Sequence, residues 1–238
     1  MNLSFYTAAT GARAHQTRMD IIGNNIANIN TEGFKSKNAG FVDLLYERYF
    51  AAATEDPETG VGVRVETTNT LFTQGGVIPT GGAHDFAIMG DGFFSVFDNA
   101  TGEIYYTRNG NFVLSNFSND TNMFYLVNQM GHIVLDREFG LISVDTSDEN
   151  QEIMPGVFDF NIQDGLVRSG NNLFQTTPKN GEPFLNDESR VVRGYIEMSN
   201  VDLAQEMSRV IEAQRAFQLS IRMVQTSDEV ENTIINLR

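Results

Sequence analysis

His84 and Asp85 stand side by side, the residue types of a general base and the group that orients it. Such a pair needs a nucleophile on a strained turn, and no Gly-x-Ser-x-Gly elbow accompanies it. His15 and His132 stand far from His84 and from each other, so no metal-ligand spacing results. The chain has 31 Asp and Glu residues, which makes some close carboxylate pair inevitable and leaves a glycosidase-type acid pair without a signal. Asp98-Asn99-Ala100-Thr101-Gly102-Glu103 gathers oxygen ligands but lacks the twelve-residue EF-hand pattern, so a hairpin tip is the simpler reading. Gly60-Val61-Gly62 lacks the further glycine and the lysine of a phosphate loop. With no cysteine, thiol catalysis, disulfides and cysteine-based zinc sites are excluded. The expectation is a chain with no catalytic, cofactor or metal site.

The polar residues that stand out are of another kind. Asn24, Asn25 and Asn28 fall within two helical turns, Asn24 and Asn28 on one face and Asn25 on the next. Asparagine is a poor helix-interior residue, so these amides either end the helix or bond to neighbours. A second polar junction, Glu197-Met198-Ser199-Asn200-Val201-Asp202, precedes the C-terminal helix. Gln214 and Arg215 lie mid-helix, where a polar residue fixes register at a cost in stability. The pairing of two polar junctions favours an assembly role. The candidate interface comprises Asn24, Asn25, Ala27, Asn28, Thr31, Gly33, Phe34, Lys35, Glu197, Ser199, Asn200, Val201, Asp202, Glu206, Gln214 and Arg215.

Two helices must carry these junctions. Over residues 3–29, Phe5, Ala8, Ala12, His15, Met19, Ile22, Ile26 and Ile29 alternate in steps of three and four, the coiled-coil stripe. Gly33 then suits a turn with positive φ. The second helix starts near Asn200 or Asp202 as N-cap, with Glu206 early against its positive end. Its predicted stripe is Leu203, Met207, Val210, Gln214, Phe217, Ile221 and Val224, loosening near Gln225–Asp228, where Val230, Ile234 and Leu237 define a shifted one.

Between the helices the period falls to two. Phe86–Met89, Phe93–Phe97, Ile104–Thr107, Phe112–Leu114, Phe124–Val127 and His132–Leu135 read as strands separated by turn signals such as Gly90-Asp91-Gly92 and Asn109-Gly110. Phe158–Ile162, Leu173–Thr176 and Val191–Tyr195 continue the pattern. The predicted class is α+β: terminal helices paired as a coiled coil, and a central antiparallel sandwich or open barrel. The predicted division is a helical assembly domain of residues 1–35 and 196–238, an arm of 36–70 and a β-rich outer domain of 71–195. Phe41–Tyr46 fits helix or strand, Glu55–Gly60 reads as a loop, and Val61–Val65 as extended.

Hydrophobic residues form 41% of the 238 and charged residues 20%, which places the chain among globular proteins. The net charge of −15 offers no basic footprint for a nucleic-acid duplex or an anionic membrane. No run approaches the ~18 apolar residues of a transmembrane helix. The first residues, Met1-Asn2-Leu3-Ser4-Phe5-Tyr6, lack the basic and apolar regions of a cleaved secretory signal.

Asn24-Asn25-Ile26-Ala27-Asn28-Ile29-Asn30-Thr31-Glu32-Gly33-Phe34-Lys35 resembles the N-terminal signature of the bacterial flagellar rod and hook family, with Glu32 where proline is common. Glu197–Asp202 with Glu206-Met207 and Ala213-Gln214-Arg215-Ala216-Phe217 resembles that family's C-terminal signature. Gln74-Gly75, Asp85-Phe86-Ala87-Ile88, Gly90-Asp91-Gly92-Phe93-Phe94 and Tyr106-Thr107-Arg108-Asn109-Gly110 agree between them. The resemblance implies a non-enzymatic subunit of the flagellar basal body whose helices form the inner layer of a tube. It implies copies of itself and other rod and hook proteins as partners, and export by the flagellar type III apparatus without a cleaved signal. The β-rich stretch 71–195, about 125 residues, leaves little room for a hook protein's further outer domain. The segment 41–65 is more like distal than proximal rod subunits. A secreted β-rich adhesin or carbohydrate-binding module is the reading from a different class; it predicts a ligand cleft and does not explain two paired helices.

Overall fold

The three-four spacing near the N-terminus forms α1, Leu3–Ala27, and the asparagine-rich stretch ends it: Thr31 N turns back to Asn28 O at 3.1 Å. The opposite end forms α2, Leu203–Asn236. Asp202 is its N-cap, with Oδ1 accepting from Ala204 N at 2.9 Å and Gln205 N at 3.3 Å. These assignments come from a computed structural model that describes residues 3–44, 46–48, 58–116, 123–145 and 153–237. Within the described residues the chain divides into two compact units: Lys37–Leu71 joins the two helices, while Asn28–Ser36 joins Phe72–Val201.

In the helical unit α1 and α2 pack antiparallel. Ser4 Oγ meets Ser227 Oγ at 3.1 Å, Gly11 faces Ser220, Arg18 pairs with Glu212 at 3.8 Å, and Asn25 Nδ2 donates to Glu206 Oε2 at 3.4 Å. Contacts on α1 therefore recur every seven residues, the spacing of a heptad seam. The seam of α2 keeps Val210, Phe217 and Val224 from the predicted stripe. Its other positions are Glu206, Ala213, Ser220 and Ser227, with Glu206, Ala213 and Ser227 buried. Leu203, Met207 and Ile221 instead lie on the outside at 45%, 55% and 36% exposure. The observed phase therefore differs in part from the predicted stripe: the small and polar residues fit the close approach to α1, and larger apolar ones are displaced outward. In place of the expected loosening near Gln225–Asp228, α2 runs on as one helix, and Ser227 faces Ser4 in the first turn of α1.

Four strands complete this unit. Residues Lys37–Asp43 (β1), Tyr46–Arg48 (β2), Glu58–Gly60 (β3) and Val63–Thr70 (β4) form two antiparallel pairs, β1 on β4 from Lys37↔Thr70 to Asp43↔Val63 and β2 on β3. The segment from Phe41 is thus extended, because His15 and Arg18 of α1 meet its ring at 6.2 and 5.9 Å. Leu45 and Glu55–Pro57 of the predicted arm lie outside the described residues.

The β unit contains Val77–Pro79 (β5), Phe86–Met89 (β6), Phe93–Phe97 (β7), Ile104–Thr107 (β8), Val113–Ser115 (β9), Met123–Val127 (β10), Ile133–Val134 (β11), Ser143–Asp145 (β12), Val157–Asp159 (β13), Val167–Gly170 (β14), Leu173–Gln175 (β15), Phe184–Leu185 (β16), Arg190–Arg193 (β17) and Tyr195–Glu197 (β18). All described pairings are antiparallel, as close-spaced hairpins require. The main sheet runs β12-β10-β11-β7-β8-β15-β14 and is open at both ends of that path. Strand β7 is central: β8 lies along one edge, and β11 and β13 share the other. Its Phe94 and Val96 enter one apolar cluster and Phe93 enters a second. That double coverage explains a nearly continuous apolar strand. The molecule is α+β, with terminal helices and a central antiparallel β region.

Candidate functional site

The two polar junctions are each folded around side chains rather than around a regular ladder. In the helical unit, Asn25 is buried on α1. Its Oδ1 accepts from Lys37 N at 2.9 Å and its Nδ2 donates to Lys37 O at 2.8 Å. The amide thus acts as a strand partner for the first residue of β1, satisfying a backbone pair at the strand's start. Glu206 on α2 is also buried, and Arg209 Nη1 donates to its Oε1 at 2.6 Å.

In the β unit, segment 28–36 has no regular structure, so its backbone groups need other partners. Gly33 N donates to Glu197 O at 2.8 Å, and Asn200 N to Phe34 O at 3.3 Å. Ser36 N donates to Asn200 Oδ1 at 2.7 Å, and Asn172 Nδ2 to Glu32 O at 2.8 Å. Arg168 Nη2 donates to Lys35 O, and its guanidinium lies over the Phe34 ring at 4.9 Å. Gly33 has φ +63°, and a Cβ there would stand 2.5 Å from Asn109 N, so both conformation and space demand glycine.

Beneath this segment lies an ionic cluster. Lys35 Nζ donates to Glu197 Oε1 at 2.6 Å and to Thr73 O at 2.8 Å. Arg108 Nη1 donates to Glu197 Oε2 at 3.0 Å, and its Nη2 to Gly90 O at 2.8 Å. Gly75 N adds a third donor to the carboxylate at 2.8 Å. A Cβ on Gly75 would strike Met198 O at 2.1 Å, so this approach needs glycine too. The Lys35, Glu197 and Arg108 side chains are 0%, 1% and 2% exposed. Burial holds the Lys35 ammonium below the usual lysine range, and the neighbouring Arg108 adds to that while Glu197 opposes it. Burial likewise lowers Arg168 to about 10 and raises Tyr106 to about 12.

Of the predicted interface residues, Asn25, Gly33, Phe34, Lys35, Glu197 and Glu206 are therefore buried and bonded inside the chain. Asn28, Thr31, Ser199, Asn200 and Val201 are half-buried; Asn24, Ala27, Asp202, Gln214 and Arg215 are exposed. Sequence reasoning noticed the segments holding Gly75 and Arg108 without assigning either a site. The available signal was a charged residue closing the apolar run Ile104–Thr107 just before the Asn109-Gly110 turn.

The residues first suspected of chemistry have other duties. Thr80 Oγ1 donates to the Asp85 carboxylate, and Gly194 N to Asp85 O at 2.7 Å. His132 stacks on Tyr105 with ring centroids 5.6 Å apart. Asp98 accepts from Ala100 N and Thr101 Oγ1 at 2.9 Å each, the tip of the β7–β8 hairpin. Among the described residues no three His, Asp or Glu side chains gather as metal ligands, and no helix is long and apolar enough to cross a membrane.

A site made of such internal ties is a structural one, and comparison with known proteins agrees. The flagellar basal-body rod protein FlgG of Borreliella burgdorferi is 34% identical over 266 residues, spanning 100% of this chain and 99% of that protein. The chain belongs to the flagellar basal-body rod protein family. FlgG of Bacillus subtilis is 32% identical over 268 residues, with 99% and 98% covered, and FlgG of Buchnera aphidicola from Acyrthosiphon pisum is 34% identical over 252, with 95% and 96% covered. Residues 5–35 match the flagella basal body rod protein family, 87–168 the flagellar hook protein FlgE/F/G D1 domain, and 192–237 the flagellar basal body rod FlgEFG protein C-terminal family. A hook protein FlgE of Treponema pallidum is 39% identical over 125 residues, 49% of this chain and 26% of that one. The family is structural, and this member is not an enzyme.

Proposed function

We propose that this chain is a distal-type subunit of the flagellar rod, a helical tube that carries motor torque to the hook. The observation that carries this is end-to-end relatedness to rod proteins named FlgG, at 98–99% coverage of the two proteins from Bacillus and Borreliella. Its partners are copies of itself and other rod and hook proteins, since family segments are shared with both. Its place is the basal body, reached through the type III export apparatus. It takes no cofactor, binds no nucleic acid and inserts in no membrane.

The heptad-spaced contacts support reading the α1–α2 pair as an antiparallel coiled coil. The open strand path supports an open barrel for the β region. In the assembled rod, residues 1–35 and 196–238 serve as the assembly domain, 36–70 as an arm to neighbours and 71–195 as the outer domain. The exposed members of the predicted interface, Asn24, Ala27, Asp202, Gln214 and Arg215, remain assigned to subunit contacts. They are joined by the outer apolar side chains of α2, among them Met207 and Ile211 at 55% and 52% exposure. A surface of that kind gains by repeating, non-closing contacts between copies.

Deleting the gene and imaging isolated basal bodies tests the reading. The expected result is a truncated rod without a hook and loss of swimming, restored by the intact chain. Complete rods and hooks in the deletion strain would refute it.

A further inference from the structure

Glu197 gathers parts of the β unit from far along the chain. Lys35 lies 162 positions before it, Gly75 122 and Arg108 89. The same residue takes Gly33 N on its main-chain oxygen, and its strand β18 pairs with β5, just after the Thr73–Gly75 seat. Contacts over such separations close large loops and form only when the intervening chain is already arranged. Without the Glu197 carboxylate, Lys35 and Arg108 are two like charges in a pocket closed to water, and Lys35 Nζ and Arg108 Nη2 keep only the main-chain oxygens of Thr73 and Gly90. The half-built site therefore opposes its own closure. Apolar packing beside it does not compensate for a buried unpaired cation.

We propose that the Lys35–Glu197–Arg108 cluster is a closure checkpoint: the β unit becomes native only when residues 31–35 from one end and Glu197 from the other are both seated. A chain lacking either end then cannot present a folded β unit to an assembly. The device goes beyond the rod assignment and does not depend on it, because it operates within one chain.

Hydrogen exchange of the intact, isolated chain reads it. Glu197→Gln keeps the size and removes the charge. It is expected to speed exchange at Phe93–Val96 in β7 and at residues 31–36 by one common factor, on the order of 10²- to 10³-fold. The amides of α2 should exchange as in the parent. Lys35→Met keeps the Arg108–Glu197 pair and should raise both sets by a smaller common factor; it decides the matter if Glu197→Gln does not fold. Faster exchange confined to residues 31–36 in the folded variant, with β7 as protected as in the parent, overturns the proposal and leaves the cluster a local tether. Unchanged exchange at both places overturns it equally.

Discussion

The two units handle their side chains in opposite ways. The β unit buries charge: Lys35, Arg108 and Glu197 are sealed and mutually bonded among apolar strands. The helical unit exposes apolar surface: Leu203, Met207, Ile211, Leu219 and Met223 stand on the outside of α2, from 45% to 64% exposed. A buried charge is held only where an opposite charge and hydrogen bonds meet it, and the Glu197 carboxylate meets both Lys35 and Arg108 in this way. A row of exposed apolar side chains along one helix marks a surface whose burial comes from outside the chain. One end-to-end sequence thus specifies a part that pairs its buried charges internally and a part that leaves apolar side chains on its surface.

Matched truncations test that contrast most strongly. Phe94→Ala in β7 removes a ring that is 0% exposed and should cost about 3–5 kcal/mol, measured by denaturant unfolding. A loss under ~1 kcal/mol would show that the β core is not closely packed. Asn25→Ala strips both bonds to Lys37 and should cost about 2–3 kcal/mol, since a buried amide's two hydrogen bonds to the half-buried start of β1 are lost. The effect should appear as faster exchange in β1 and β4, not in β7. Asp202→Ala removes the N-cap of α2 and should cost about 1 kcal/mol, read in helix unfolding by circular dichroism.

Acid should act on both units in the same direction. His15 and His84 are each held below the ordinary histidine range, mainly by burial, with Arg18 and Arg193 adding to it. The unfolded chain then binds more protons than the folded one just below the unperturbed value near 6.5, so stability falls as pH drops through that window. His15→Gln should flatten part of the slope between about pH 6.5 and 5. An unchanged slope would remove His15 from the account. The smallest effect on the monomer belongs to Leu219→Ala, whose side chain is 64% exposed: within about 0.5 kcal/mol. Its consequence should surface in the rod, as reduced incorporation into basal bodies. Normal incorporation would mean that this part of the outer face of α2 meets nothing.

Much of this was written locally. Steps of three and four placed α1 to within two residues of its end, Asn200 and Asp202 offered the two N-cap positions of α2, of which Asp202 is the one used, and alternation with Asn-Gly and Gly-Asp-Gly turns placed β6, β7 and β8 at their observed bounds. Propensity, capping and turn chemistry act over a few residues, so one sequence displays them. A polar junction near each end was likewise visible in the sequence.

What those residues do was settled only by the tertiary structure. Asn25 looks the same in sequence whether it bonds a neighbouring subunit or caps β1, and the difference is a hairpin that returns to α1. The phase of the α2 seam depended on how closely α1 approaches, which selects Ala213 and Ser220 over Gln214 and Ile221. Lys35, Arg108 and Glu197 are three charged residues of ordinary appearance, separated by 73 and 89 positions. Their union rests on long-range strand pairing, a sum of many weak contacts that no local pattern encodes, and only that fold makes a single carboxylate the meeting point of both ends.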